Sequence, residues 1–227
     1  MNKKKVFIFL IIVILLVGGL TFFFINRSKT KKFGKNSSSQ DIVNYILDIS
    51  SYEATIEVET KSNKNSNKYV LKQQYIKDNA STQEVLEPSN IQGVKMVKKD
   101  KTLKLENTSL NVVTILENYE SLTDNALDLS SFIENYRQNS NSSFEEKDNE
   151  IIMHTTNSNE NKYTKNKTLY VDRSTGKPTK MEVTDINKNI TINILYKEVE
   201  IDNLDENNVL AFNLYNMSKQ IWLYSKI

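Results

Sequence analysis

The chain has 227 residues, with 30 basic against 28 acidic, a single histidine and no cysteine. The missing cysteine excludes disulfides, thiol catalysis, cysteine-based zinc sites and the lipid attachment point of a bacterial lipoprotein. Seven of the basic residues (Lys3, Lys4, Lys5, Arg27, Lys29, Lys31 and Lys32) precede Phe33 with no acid among them, which leaves 23 basic against 28 acidic residues from Phe33 onward, a net of about −5 and the opposite of a nucleic-acid footprint.

Residues 6–25 form an apolar run, and about 20 such residues at about 1.5 Å rise match the roughly 30 Å hydrocarbon core of a bilayer. The run is longer than the apolar region of a signal peptide and ends in Phe22-Phe23-Phe24 with no small-residue cleavage site, so it predicts an uncleaved membrane-spanning helix. Its downstream flank carries more positive charge than its upstream one, which opposes a simple positive-inside reading. Long domains cross largely regardless of charge, however, and the expectation is a cytoplasmic tail over 1–5 and an extracytoplasmic domain. Residues 26–39 read as a linker, of which FGKNSSS over 33–39 is polar but for Phe33.

Ser38 or Ser39 can cap a helix in which Ile42, Tyr45, Ile46 and Ile49 make one apolar stripe. From Tyr52 the period changes to two, and Ala54, Ile56 and Val58 alternate with Thr55, Glu57 and Glu59 as in a half-buried antiparallel strand. Strands are then expected over 68–78, 82–87, 91–98 and 102–105. Helical spacing returns over 111–120, through Val112, Ile115, Leu116 and Tyr119, and over 125–138, through Leu129, Phe132, Ile133 and Tyr136. Strands resume over 143–147, 150–156 and 168–172, the last joined by a Gly176 turn to 178–185, and close with 189–201. The apolar tail 209–227 is expected to pack on the sheet, as helix or as strand. The sum is a large antiparallel sheet curling around helices, with an apolar concavity between the layers.

No stretch carries a nucleophile with its base, a phosphate-cradling glycine loop or metal-ligand spacing, so no catalytic residue, metal ligand or cofactor is assigned. His154 stands alone in a strand, on the face opposite Ile151 and Met153, and reads as structural. Glu145 and Glu146 read as solvated charge in a polar loop, with nothing to place them across a cleft. Tyr45, Tyr52, Tyr69, Tyr75, Tyr119, Phe132 and Tyr136 fit core positions. The strand over 68–78 and the tail are candidate edges, and an open edge can recruit a partner by strand addition or join two copies of the chain as a homodimer, by strand exchange or edge pairing.

The order of elements, with Val85-Leu86-Glu87-Pro88, Ile91-Gln92-Gly93-Val94, the 102–106 strand, then NVVTILENYE and NALDLSSFIENY, then further strands, resembles the GerS family of bacterial spore-germination proteins. That family is similar in fold to the lipoprotein carrier LolA. The resemblance implies an α+β fold: a curved antiparallel half-barrel over 40–227 with helices packed in its concave face, preceded here by one transmembrane helix. It also implies a non-enzymatic sporulation protein, without cofactor, at the spore envelope. Its partner would be the N-acetylmuramoyl-L-alanine amidase that helps make muramic-δ-lactam in cortex peptidoglycan. The chain departs from GerS in having no cysteine to lipidate, so the apolar helix would replace the lipid as anchor. A second reading, from the residues, is a carrier or sensor of lipid or lipoprotein that uses the concavity capped by the 112–119 and 129–136 stripes.

Overall fold

The computed structural model describes residues 33–204 except 35–36, 63, 108, 120–124 and 158–160. The apolar run 6–25 and the tail 209–227 lie outside the described residues, and no described helix is long and apolar enough to cross a membrane. The chain divides into two units, Met1–Lys32 and Phe33–Ile227, and the description that follows concerns the second.

Helix α1 (Ser39–Leu47) begins at a capping box in which the Ser38 hydroxyl accepts from the Asp41 N–H and the Asp41 carboxylate accepts from the Ser38 N–H. Its inner face buries Ile42, Val43 and Ile46. Then follow β1 (Ser51–Lys61), β2 (Ser66–Ile76), β3 (Ala80–Glu87), β4 (Val94–Lys99), β5 (Thr102–Asn107) and β6 (Val112–Leu116). Helix α2 (Leu129–Gln138) intervenes, and β7 (Ser143–Lys147), β8 (Glu150–Thr156), β9 (Asn166–Asp172), β10 (Pro178–Thr184) and β11 (Ile190–Ile201) complete the described chain. The strands form one curved antiparallel sheet of 11 strands in the order β6-β5-β4-β3-β2-β1-β11-β10-β9-β8-β7. The first and last strands, β1 and β11, pair at the centre, and each half of the sheet is a meander.

Three expectations change. The 111–120 segment is not a helix: five of its residues form β6, entered through Asn111 at φ 53°. Val112, Val113, Thr114 and Ile115 are four β-branched residues in succession, and their stiff side chains favour the pleated backbone over the helix that their spacing mimics. The second expected helix starts at Leu129, because Asn125 bends the chain ahead of it: its Oδ1 accepts from Leu127 N at 3.2 Å and its Nδ2 donates to Asp128 Oδ2 at 2.9 Å. The strand expected over 68–78 is not an edge, since β2 lies between β1 and β3.

The core lies on the face of the sheet that carries both helices. One cross-strand row, Val58, Ile194, Met181, Leu169 and Met153, runs over β1, β11, β10, β9 and β8, and each member is at most 2% exposed. Against this floor pack Ile42, Ile46, Leu129 and Phe132, each fully buried. The concavity expected between sheet and helices is therefore occupied by the protein's own side chains here.

The segment expected as linker is attached to the domain at Phe33. Its N–H donates to Ser174 O at 2.9 Å, and its ring meets Tyr45 edge-on at 5.3 Å between centroids. Gly176, at φ 65°, lies beneath both rings, where a Cβ would collide with Phe33 and touch Tyr45 at 3.0 Å. The turn predicted from Gly176 thus also receives the incoming chain.

Candidate functional site

Among the described residues no strand pairs with the outer edge of β6 or of β7, and the two edges differ in chemistry. β7 reads Ser-Phe-Glu-Glu-Lys, and such charges guard an edge against pairing; β6 reads Val-Val-Thr-Ile-Leu, five residues without a charge. Val112 is 53% exposed, Leu116 42% and Ile115 38%, with Leu110 at 71% in the turn before them. An uncharged, apolar edge open on both faces is the arrangement that accepts an added strand.

Behind that edge runs a second feature. On the helix-bearing face, Gln73, Gln83, Met96, Leu105 and Thr114 are successive cross-strand partners from β2 to β6. α1 and α2 pack chiefly on β8 in the other half of the sheet, and Met96 is 37% exposed. The row begins at a small cleft lined in part by Tyr52, Gln73, Gln83, Met96, Asn125 and Asp128. Asp128 precedes α2, but its carboxylate makes no capping bond to that helix; it accepts from Gln73 Nε2 at 3.2 Å and Asn125 Nδ2 at 2.9 Å. Burial pushes the phenols of Tyr52 and Tyr196 up in pKa and the Asp128 charge pushes them further, so both stay protonated.

The residues singled out by sequence do not converge. His154 lies on β8 on the face away from the core, with Nδ1 3.2 Å from Thr168 Oγ1 and Nε2 3.8 Å from Glu145 Oε1. Glu145 and Glu146 lie on strand β7 rather than in a loop, and alternation sends them to opposite faces. Glu146 accepts from Arg173 Nε at 2.7 Å and from the Ser39 hydroxyl, while Arg173 also donates to Ser37 O at 2.9 Å. These bonds hold the start of α1 to the sheet, and hydrogen bonding from Ser39 and Arg173 lowers the Glu146 pKa. Of the aromatic residues expected in the core, Tyr52 and Phe132 are buried and Tyr45, Tyr69, Tyr75, Tyr119 and Tyr136 half-buried; Tyr75 stacks on Tyr52 at 5.4 Å. Sequence reading passed over Gln73 and Gln83, whose signal is an amide at an inward-facing position of each of two strands.

Residues 3–209 match the family described as "Sporulation protein YdcC-like". The chain belongs to this family of YdcC-like sporulation proteins. The resemblance to sporulation proteins read from the sequence is thereby met. No curated protein sequence matches the chain. Among solved structures, this YdcC-like chain is similar to one from the complex of the CwlD amidase with the GerS lipoprotein of Clostridioides difficile, at 27% identity and a TM-score of 0.47, covering 76% of this chain and 98% of that one. An uncharacterized conserved protein of Thermus thermophilus gives 12% identity and 0.49 over 76% and 92% of the two chains. The LolA superfamily protein NE2245 of Nitrosomonas europaea gives 14% and 0.40 over 75% and 96%. With each TM-score below 0.5, these likenesses assign the YdcC-like chain neither a site nor a partner.

Proposed function

We propose that this YdcC-like protein is a non-enzymatic, membrane-anchored sporulation protein whose sheet domain binds a partner protein outside the cytoplasm. The partner we propose is a cortex N-acetylmuramoyl-L-alanine amidase of the same organism, as the sequence resemblance to the GerS family implies. The observation that carries the binding role is β6, an outer strand with no charge and with apolar side chains exposed on both faces. Folds that have no use for such an edge blunt it, as β7 does with its Glu-Glu-Lys. An added strand would draw affinity from backbone hydrogen bonds and specificity from the alternating side chains. A carrier role for lipid finds no support in the filled space between helices and sheet.

The test is co-purification of the amidase with the full-length chain from sporulating cells, joined to muropeptide analysis of the cortex after deletion. Recovery of the amidase and loss of muramic-δ-lactam are expected. A normal cortex and no amidase in the purified material would remove this reading. Two copies pairing through β6 would occupy the same edge, so a dimer that dissociates when the amidase is added is the expected outcome of sizing the mixture.

A further inference from the structure

Among the described residues eight large apolar side chains stand exposed, and they fall into two groups. Five lie on β4 or in and beside β6. The other three, Tyr163 at 62%, Ile186 at 58% and Ile190 at 40%, sit at one end of the other half of the sheet. Exposed apolar residues scattered singly need no explanation, but these three are neighbours. Ile186 N donates to Lys162 O at 3.0 Å and Thr191 Oγ1 donates to Tyr163 O at 2.7 Å, so the loop before β9 and the β10–β11 turn form one tip. Lysines surround it. Lys162 Nζ lies 5.1 Å from the centre of the Tyr163 ring, and Lys188 is exposed at φ 67°. Lys64 is exposed in the β1–β2 turn, which the pairing of Thr60 with Ile192 brings to the same end. The described acid of the tip, Asp185, is taken up inside it: its carboxylate accepts from Asn187 N at 2.8 Å and from Asn189 N at 2.8 Å and Nδ2 at 3.0 Å.

We infer that this tip docks on an anionic lipid bilayer, with Tyr163, Ile186 and Ile190 entering the headgroup layer and Lys64, Lys162 and Lys188 meeting lipid phosphates. Tyrosine is favoured at the boundary between membrane and water, where its ring lies in apolar surroundings and its hydroxyl stays wet. Lysine stems can lie along the same layer while their ammoniums remain among the headgroups. The three apolar groups project from a loop and a turn, so they can enter a soft surface with no fitted pocket opposite them. The lysines decide its sign, since each basic residue near an anionic bilayer strengthens attachment about fivefold. The tip stands at the opposite end of β9 from the turn that receives Phe33, about 20 Å along the strand, and in the half of the sheet away from β6. Lipid contact and partner binding thus use separate surfaces, and the inference does not depend on the choice of partner.

The chain has no cysteine, so Asn187→Cys in the full-length protein carries one environment-sensitive fluorophore at the tip, and Lys147→Cys carries it at the far end. Each labelled protein is held in phosphatidylcholine nanodiscs and titrated with vesicles of phosphatidylglycerol, with phosphatidylcholine vesicles as control. The fluorophore at position 187 is expected to brighten and shift to the blue with phosphatidylglycerol and not with phosphatidylcholine; the one at position 147 should respond to neither. Tyr163→Ser with Ile186→Ser should abolish the response at an unchanged melting temperature, because both side chains are exposed. Lys162→Gln with Lys188→Gln should weaken it about twenty-fivefold. No response at position 187, an equal response to phosphatidylcholine, or a response to the cortex amidase and not to lipid would overturn the inference. If the run 6–25 does not insert into the nanodisc, the anchor reading falls, and the same titration of the free chain still decides the tip.

Discussion

Asp172 shows how much one oxygen can hold. Its Oδ1 accepts from Ser174 N at 3.1 Å, Ser174 Oγ at 2.6 Å, Thr175 N at 2.8 Å and Thr175 Oγ1 at 2.8 Å, fixing the β9–β10 turn that receives Phe33. Burial alone would raise its pKa, but the hydrogen bonds from Ser174 and Thr175 outweigh that and lower it. Hydrogen bonding lowers the Glu146 and Asp185 carboxyls too, through Ser39 and Asn189 respectively. A folded-state pKa below the unfolded value means stability that is present above the ordinary carboxylate pKa of about 4 and lost as pH falls through the folded value. The melting temperature should therefore hold above about pH 5 and fall steadily below about pH 4, and Asp172→Asn should differ from the unmodified chain at neutral pH but converge with it in acid. A gap that stays constant down to pH 2 would refute the assignment to charge. At Gly176 the constraint is steric, for φ 65° and the Phe33 ring both exclude a Cβ. Gly176→Ala should cost more than about 1 kcal/mol in urea unfolding, with the Phe33 and Tyr45 ring signals changing by NMR.

Most strands were legible from sequence, and the apolar strand β6 was not. β7 and β8 were predicted to the residue, and β1 announced itself through Ala54, Ile56 and Val58 alternating with polar neighbours. β6 deceived because Val112, Ile115 and Leu116 satisfy helical spacing over five residues, too short a window for period to decide; the run of β-branched residues was the better signal. The proposed binding edge was hidden for the same reason, since a segment read as helix could not be read as an edge. Gln73 and Gln83 were hidden differently: alternation marks them as inward, but only the register shows that they face each other. If β6 is the docking edge, a charge placed on it should act as charges do on β7. Ile115→Lys, at a position already 38% exposed, should change unfolding free energy by less than about 0.5 kcal/mol and abolish amidase co-purification. Retained co-purification with unchanged stability would move the docking site off β6.

At the scale of the whole molecule, the membrane attachment proposed above cannot use a lipidated cysteine, since the chain has none. The proposal assigns it to the apolar run 6–25. Seventeen of its twenty residues are Leu, Ile, Val or Phe, the others being Gly18, Gly19 and Thr21. At roughly −0.3 to −0.6 kcal/mol for each such residue near the bilayer centre, insertion is favoured by several kcal/mol, on the order of −7. Attachment of that kind is not a charge interaction, so salt cannot screen it. The full-length protein should therefore stay in the membrane fraction through high-salt washing and leave it only with detergent. Its N-terminal sequence from the native cell should begin upstream of Val6, and protease added outside the membrane should remove the domain. A mature N-terminus between Thr21 and Lys35 would show instead that the run is cleaved, which would release the domain to diffuse and require it to find its partner without a tether.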